Sequence, residues 1–225
     1  MINDFTAIGF PFYASDGMKH SVFNNPFLHK GIFKRNSYYW ISCGGPEVWI
    51  YDELCDQATP FHETGNYLTP EFEKWKDDDA FAAPCYMHLQ GNDVCDIPDL
   101  DIEIVNLFEF KSTQKISIQI SAMVQECMIY RRKETFKSDH PKMATESYFA
   151  NPNAEKEDYC PYAWINGYIK DIELLTNSLY DGIYYHLVIS SPFNFDFDCY
   201  ADVDEYGLTC AEEFPPKIGD IFSGE

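Results

Sequence analysis

An alternation of apolar and polar side chains with a period of two runs through much of this chain. Between residues 115 and 130, the even positions from 116 to 124 hold Ile, Ala or Val, and the odd positions from 117 to 123 hold Ser, Gln or Met. Successive side chains of a strand point to opposite faces of its sheet, so this period indicates strands. The sequence therefore predicts an α+β protein that is predominantly antiparallel β.

The same period predicts two pairs of strands in the first 130 residues. Residues 37–42 and 47–52 form the first pair, with a Gly-Gly-Pro reversal between them. Residues 101–110 and 115–130 form the second pair, around a short polar connection. Further strands are predicted at residues 164–175, 182–190, 194–201 and 218–222.

Helix signals occur at two places. Thr69 supplies an N-cap hydroxyl and Pro70 suits a first helical turn, so a short helix is predicted from Thr69 to about Asp79. A second helix is predicted over residues 132–138, ended by Pro141.

Residues 142–161 are rich in Asn, Pro and acidic residues, which predicts a loop or linker. It would separate a mostly β N-terminal region, residues 1–141, from a C-terminal region, residues 162–225. At 225 residues, the chain fits one large domain or two small ones. The two regions either pack as one domain or fold as two.

The final third of the chain combines a strand that contains Gly167, a hairpin over residues 184–200 and a Pro-x-x-Gly-Asp sequence at 216–220. A glycine inside a strand permits the coiling that closes small barrels. This part of the chain resembles a small OB-like β-barrel. We therefore expect a curved N-terminal sheet followed by an OB-like barrel at the C-terminal end.

The final third contains an Asn-Gly-x-Ile sequence at 166–169 as well as the Pro-x-x-Gly-Asp sequence at 216–220. The whole chain resembles a family of bacterial cytosolic proteins of unknown function that share these features. The resemblance implies no activity. The sequence stops at Glu225, where a closing barrel strand is expected. Either the barrel is open there or the natural chain continues.

The chain carries 37 acidic residues against 16 basic ones, a net charge of −21. Residues 151–225 hold 15 acids and 3 lysines, so this third alone contributes −12. Such a field repels the phosphates of nucleic acids and anionic membrane surfaces. It attracts a basic protein partner. We therefore expect neither nucleic-acid nor membrane binding, and we expect a basic macromolecular partner.

The N-terminal residues show no basic leader and no apolar segment of the signal-peptide kind. No apolar run approaches the roughly 20 residues that span a bilayer. We therefore expect a soluble cytoplasmic protein, and we interpret its eight cysteines as reduced thiols. Exposed strand edges in a sheet-rich chain make a dimer a further expectation.

The densest acidic cluster is the candidate binding site. Its five members are predicted to form an acidic face for the basic partner: Asp196, Asp198, Asp202, Asp204 and Glu205.

The same segment partly fits the twelve-residue calcium loop. Asp202, Asp204 and Glu213 would occupy its first, third and twelfth positions, and Gly207 its sixth. Tyr206 at the fifth position does not fit. An acidic turn between barrel strands explains the same residues, so Ca²⁺ is the weaker of the two interpretations.

Catalytic and zinc motifs are scarce in the sequence. Cys43, followed by two glycines, is the one candidate nucleophile, and the same residues also form a simple turn. There is no Cys-x-x-Cys pair, and the histidines are scattered singly. The sequence therefore favours a non-enzymatic binding or inhibitor (immunity-like) protein. The alternative is a hydrolase or small-molecule-binding protein with a site between the two β regions.

Overall fold

The computed structural model describes residues 5–11, 22–42, 44–51, 57–75, 82–88, 100–105, 109–145, 147–150, 163–193, 195–203, 209–210 and 215–225. These residues form eighteen strands and the α-helix α1 (Lys133–Asp139). Almost all strand pairs are antiparallel, which confirms the β-rich class. In the described part of the chain, no helix is long and apolar enough to cross a membrane.

The chain divides into two compact units. The half-barrel unit draws on Met1–Pro11, Ile120–Glu155 and Tyr162–Glu225, and the two-sheet unit on Phe12–Gln119 and Lys156–Pro161. Most residues of the predicted linker, 142–161, lie outside the described residues. The boundary at this linker stays a prediction.

The first sheet of the two-sheet unit is a run of three antiparallel hairpins. Its strands, in spatial as well as chain order, are β1 (His29–Phe33), β2 (Asn36–Ser42), β3 (Pro46–Tyr51) and β4 (Gln57–His62). The predicted hairpin of residues 37–52 is confirmed. Gly44 and Gly45 in its turn have φ values of 77° and 136°, which glycine adopts readily because it lacks a Cβ.

The second sheet of this unit has the order β8-β7-β6-β9. Its strands are β6 (Glu71–Trp75), β7 (Ala82–His88), β8 (Leu100–Val105) and β9 (Gln114–Lys115). The short strands β5 (Tyr67–Leu68) and β10 (Ile118–Gln119) pair separately.

The helix predicted from Thr69 is wrong over Glu71–Trp75, which form β6. This strand bonds to β7 on one side and to β9 on the other, so its backbone groups are satisfied in the sheet. Its Phe72 is buried against Trp75, Phe110 and Ile116. Tertiary packing here outweighs the local capping signal. The last predicted helical residues, 76–79, lie outside the described residues.

The predicted pairing of residues 101–110 with 115–130 is also wrong. Strand β8 pairs with β7, and the segment from Gln114 to Tyr130 breaks into four short strands that pair with five other strands, two of them beside the last. The last two are β11 (Ser121–Met123) and β12 (Cys127–Tyr130). A period of two identifies strands but carries no information about which strand lies beside them.

The half-barrel unit contains one eight-stranded sheet, ordered β11-β16-β15-β14-β18-β12-β17, with β13 beside β14. Its remaining strands are β13 (Ser147–Ala150), β14 (Trp164–Thr176), β15 (Ile183–Ile189), β16 (Phe197–Asp202), β17 (Thr209–Cys210) and β18 (Ile221–Gly224). The pairs β11–β16 and β12–β17 are parallel.

Strands β11 and β12 lie near opposite ends of this order, although only three residues stand between Met123 and Cys127. The four steps from Met123 to Cys127 span at most about 14 Å, so the sheet must curl to bring its ends together. The amide of Val124 donates to the carbonyl of Tyr200 at 2.8 Å, which joins the connecting turn to β16. The sheet is therefore a curled half-barrel.

The core of the half-barrel is formed by the inward side chains of five strands. These include Ile129, Ile169, Leu187, Cys199 and Phe222, each at most 1% exposed. Strand β14 pairs with β18 over residues 165–168 and with β15 from Ile169 onward, with a register shift between Ile169 and Asp171.

Most element predictions for this unit are confirmed. Strands β14, β15 and β16, the β15–β16 hairpin and helix α1 lie close to the predicted residues. Ser147–Ala150, inside the predicted loop, form strand β13, whose Phe149 packs on the core. The last strand begins at Ile221 and not at residue 218, because Lys217 and Asp220 close a turn before it.

The N-terminal residues 5–11 pack against β15 and β16. A short 3-10 helix, Thr6–Ile8, is buried there. The side-chain Nδ2 of Asn177 donates to the carbonyl oxygen of Ile8 at 3.1 Å. Tyr184 and Tyr200, on the strand faces opposite the core, are 2% and 1% exposed. The central residues of β16 are thus buried on both faces.

Candidate functional site

Four aromatic side chains lie together on one face of the first sheet. His29, Trp40 and Trp49 are directly opposite one another on β1, β2 and β3. The ring centroids of His29 and Trp40 are 4.9 Å apart, and those of Trp40 and Trp49 are 5.1 Å apart with planes within 8°. Tyr38 is stacked on both indoles, at 5.5 and 6.1 Å. We call these four residues the aromatic row.

The alternation within β2 and β3 explains why the row faces outward. Ile41, Val48 and Ile50 are fully buried on the opposite face of the sheet. Trp40 and Trp49 have the other parity and are half-buried. A large ring with a polar N–H suits such a position, because its apolar body packs while its edge meets water.

A glycine makes room for one member of the row. A Cβ placed on Gly31 would lie 2.2 Å from Cζ of Tyr38, so the tyrosine ring covers the glycine directly. Gly31 and Tyr38 are partners in the β1–β2 register. The absence of a side chain on β1 therefore allows this ring to lie flat across the sheet.

Charged groups border the aromatic side chains of this sheet. The Trp49 indole N–H donates to Oε2 of Glu47 at 2.9 Å. The Lys34 ammonium lies 5.2 Å from the ring centre of Phe33, which is on β1, the strand that also carries His29. On the opposite face, Lys30 lies 5.0 Å from the ring centre of Tyr39. Cations within about 6 Å of a ring centre are attracted to its negative face. Two lysine side chains of the chain itself therefore lie against rings of this sheet.

The predicted acidic face is only partly described by the structure. Asp196 receives the Lys170 ammonium at 2.8 Å on both carboxylate oxygens. Asp198 is 4% exposed and lies 2.8 Å from Nε2 of His186. Asp202 is half-buried at the end of β16. The other two residues, Asp204 and Glu205, lie outside the described residues. Asp198 is thus an internal group, and the charge of Asp196 is engaged by a lysine.

The environment of Asp198 contains polar groups that resemble a catalytic site in composition only. His186 is stacked on Tyr200, with ring centroids 4.9 Å apart. Burial, with the charge of Asp198, raises the pKa of Tyr200 above its ordinary value. A Ser-His-Asp triad needs the imidazole between the hydroxyl and the carboxylate. Here β16 lies between β11 and β15, so Asp198 lies between Ser121 and His186.

Most residues of the predicted calcium site, and the candidate nucleophile, lie outside the described residues. Asp202 is the one proposed calcium ligand within the described residues, since Asp204 and Glu213 lie outside them, as does Cys43. Among the described residues, no group of three or more His, Cys, Asp or Glu side chains could hold a metal ion. Cys127 and Cys199 are buried, and burial raises the pKa of the Cys199 thiol.

No family model, curated protein or solved structure matches this chain. The candidate site therefore depends on the geometry of its own residues. The sequence interpretation missed the aromatic row, although a signal was present. Tyr38 and Trp40, like Trp49 and Tyr51, are two residues apart within one predicted hairpin, so each pair shares a face.

Proposed function

We propose that this chain is a non-enzymatic binding protein that recognises a basic macromolecular partner. The net charge of −21 is the observation that carries the proposal. A field of this size steers cationic partners into encounter and repels anionic ones. It supports an inhibitor or immunity-like role, in which an acidic protein covers a basic one.

Two structural observations support a binding role. Of the three lysines in the last third of the chain, Lys170 is paired with Asp196, so it adds little positive potential at that surface. The aromatic row presents half-buried Trp and Tyr side chains, which are the residue types that dominate protein interfaces. The negative charge would raise the association rate of the partner, and the aromatic row would provide contacts that stabilise the complex.

The proposal also includes an OB-like barrel in the half-barrel unit. Gly167 inside β14 supports an OB-like barrel, because a Cβ there would lie 2.1 Å from the carbonyl oxygen of Ser190. Such a close approach is typical of coiled barrel strands. Membership of the bacterial family of unknown function, the cytoplasmic location and dimer formation stay predictions.

The proposal is tested by capturing the partner from the native host lysate and then purifying the captured protein. We expect a protein with an excess of Lys and Arg, whose association rate constant falls about tenfold or more between low and high salt. The measurement is stopped-flow association at several ionic strengths. A partner without excess positive charge, or a rate indifferent to salt, would overturn the proposal.

A further inference from the structure

The aromatic row combines partial exposure with an ordered arrangement. His29 is exposed, and Tyr38, Trp40 and Trp49 are half-buried, so each ring keeps some contact with solvent. The parallel planes of Trp40 and Trp49 form a continuous apolar surface across two strands. Stacked, immobilised rings lose little conformational entropy when a planar group is laid on them.

The acidic charges near the row favour a cation over an anion. Lys34 already lies against Phe33 in the same face of the sheet, so an ammonium group is compatible with its rings. Glu47 accepts the Trp49 N–H through Oε2, and a carboxylate can accept further hydrogen bonds while it does so. An anionic ligand would meet both this carboxylate and the net charge of −21.

The combination of ring and carboxylate distinguishes arginine from lysine. A guanidinium is planar and weakly hydrated, so it stacks on an aromatic ring while its N–H groups bond to a carboxylate. An ammonium is compact and strongly hydrated, so it gains less from the same surface. Trp49 and Glu47 are two residues apart on one strand and already hydrogen-bonded, which places both elements of such a site together.

We infer that the aromatic row, together with Glu47, is the contact site for arginine side chains of the basic partner. This inference rests on the proposed function and names the chemistry of its partner. Trp40 and Trp49 provide the stacking surface, and Glu47 provides the carboxylate. The remaining acidic surface of the chain provides long-range attraction without distinguishing arginine from lysine.

The test uses the full chain and three synthetic peptides of equal length: hexa-arginine, hexa-lysine and hexa-citrulline. Citrulline has the planar shape of arginine without its charge. We expect hexa-arginine to bind about three- to tenfold more tightly than hexa-lysine at one fixed ionic strength, because cation–π contacts at partly exposed rings are worth about twofold to fivefold each. Hexa-citrulline should bind most weakly. Calorimetry measures all three dissociation constants.

Single-residue variants then test whether the preference for arginine over lysine depends on the aromatic row. Trp40→Leu and Trp49→Leu should each reduce the arginine-to-lysine ratio toward one, while hexa-lysine affinity changes by less than about twofold. The matched control is Trp164→Leu, the same substitution in the half-barrel unit, which should keep the wild-type ratio. Glu47→Gln preserves an acceptor for Trp49 and removes the charge, so it should lower hexa-arginine affinity about twofold to threefold.

The outcomes separate this inference from the proposed function. If hexa-arginine and hexa-lysine bind equally to wild type, or if the Trp variants keep the arginine preference, the row is not the site, although a basic partner is still supported. If neither cationic peptide binds, both proposals are overturned. If hexa-citrulline matches hexa-arginine, the row binds neutral planar groups and this inference is wrong. Should the Trp variants fail to fold, an unchanged hexa-arginine affinity in Glu47→Gln overturns it.

Discussion

On β2 and β3 of the first sheet, two tryptophans reach solvent on one face, whereas on β16 of the half-barrel an aspartate is almost completely buried. Trp40 and Trp49 are half-buried, while Asp198 is 4% exposed. In all three strands, successive side chains point to opposite faces of the sheet. What differs is the partner available to each side chain.

Whether a residue is polar or apolar therefore does not alone decide whether its side chain lies at the surface. A buried carboxylate is tolerated where a hydrogen-bond partner is built in, and His186 supplies one to Asp198 at 2.8 Å. A Trp is tolerated near solvent where a neighbouring ring packs against one of its faces, as Trp40 and Trp49 do for each other. In this protein the acidic segment is partly structural, and the aromatic segment is the surface that we propose for binding.

The largest effect is expected from removing the imidazole that accompanies the buried carboxylate. His186→Ala takes this partner from Asp198, and desolvating a carboxylate with fewer bonds is costly. We expect the free energy of unfolding to fall by about 3 kcal/mol. Denaturant unfolding measures it, with hydrogen exchange in β15 and β16 as a local readout, because the two units need not unfold together.

A conservative variant provides the control for this substitution. His186→Gln keeps an N–H donor near Asp198, so it should recover about half of the lost stability. If His186→Ala changes stability by less than about 0.5 kcal/mol, the carboxylate does not depend on this contact and the contrast between the two strands fails.

A second expectation concerns alkaline pH in the half-barrel unit. Burial, with the charge of Asp139 and a hydrogen bond to it, raises the pKa of Tyr130 to about 12, from 10.0 in an unfolded chain. The native state therefore holds this proton more tightly than the unfolded state between pH 10 and 12. Its contribution is complete below pH 10 and is lost as pH rises toward 12.

We expect about 1–2 kcal/mol of stability to be lost over this range, somewhat below the full value of the shift, because Asp139 is exposed and screened by solvent. Denaturant midpoints measured from pH 9 to 12 test it. Tyr130→Phe also loses the contact of the hydroxyl with His140, so the slopes and not the absolute stabilities are compared. An equal slope in this variant would show that other groups cause the alkaline loss.

Much of the fold could be predicted from the period of two, because strand formation is local. The hairpin at residues 37–52 and strands β14 and β15 follow from alternation and turn residues alone. Strand partners could not be predicted, since Gln114–Tyr130 form four short strands whose neighbours lie far away in sequence. The helix signal at Thr69 failed because the burial of Phe72 depends on residues about forty positions later.

The candidate sites, like the fold, could be predicted from the sequence only in part. The shared parity of Tyr38 and Trp40 was readable in the sequence, but the match of Trp40 with Trp49 required the register of the hairpin. The burial of the outer face of β16 could not be read from the sequence, because the 3-10 helix Thr6–Ile8 that packs against β15 and β16 is nearly two hundred residues away. Charge counting indicates what kind of partner a surface attracts, and only packing identifies which charges belong to the surface.

A smaller effect is expected at Gly31, where the aromatic row depends on a missing side chain. Gly31→Ala places a methyl group in the volume of the Tyr38 ring, whose far end can move aside. We expect a stability loss of about 1 kcal/mol and a shift of the Tyr38 ring away from the two indoles. Near-ultraviolet circular dichroism reports the changed packing of the row.

The double substitution isolates this contact. In a Tyr38→Ala background, Gly31→Ala should cost about 0.5 kcal/mol less than in the wild type, because the ring that conflicts with the new methyl group is gone. Additive effects of the two substitutions would mean that the ring does not cover Gly31. The same variants test whether Tyr38 contributes to the arginine preference.

The smallest effect is expected where a charge pair is exposed. Lys170 and Asp196 are joined at 2.8 Å, yet their side chains are 52% and 30% exposed, so solvent competes with their attraction. Lys170→Ala should therefore change the free energy of unfolding by less than about 0.5 kcal/mol. It should instead make Asp196 more available to a basic partner and speed association at low salt. A stability loss comparable to that of His186→Ala would show that this outer pair matters as much as the buried one.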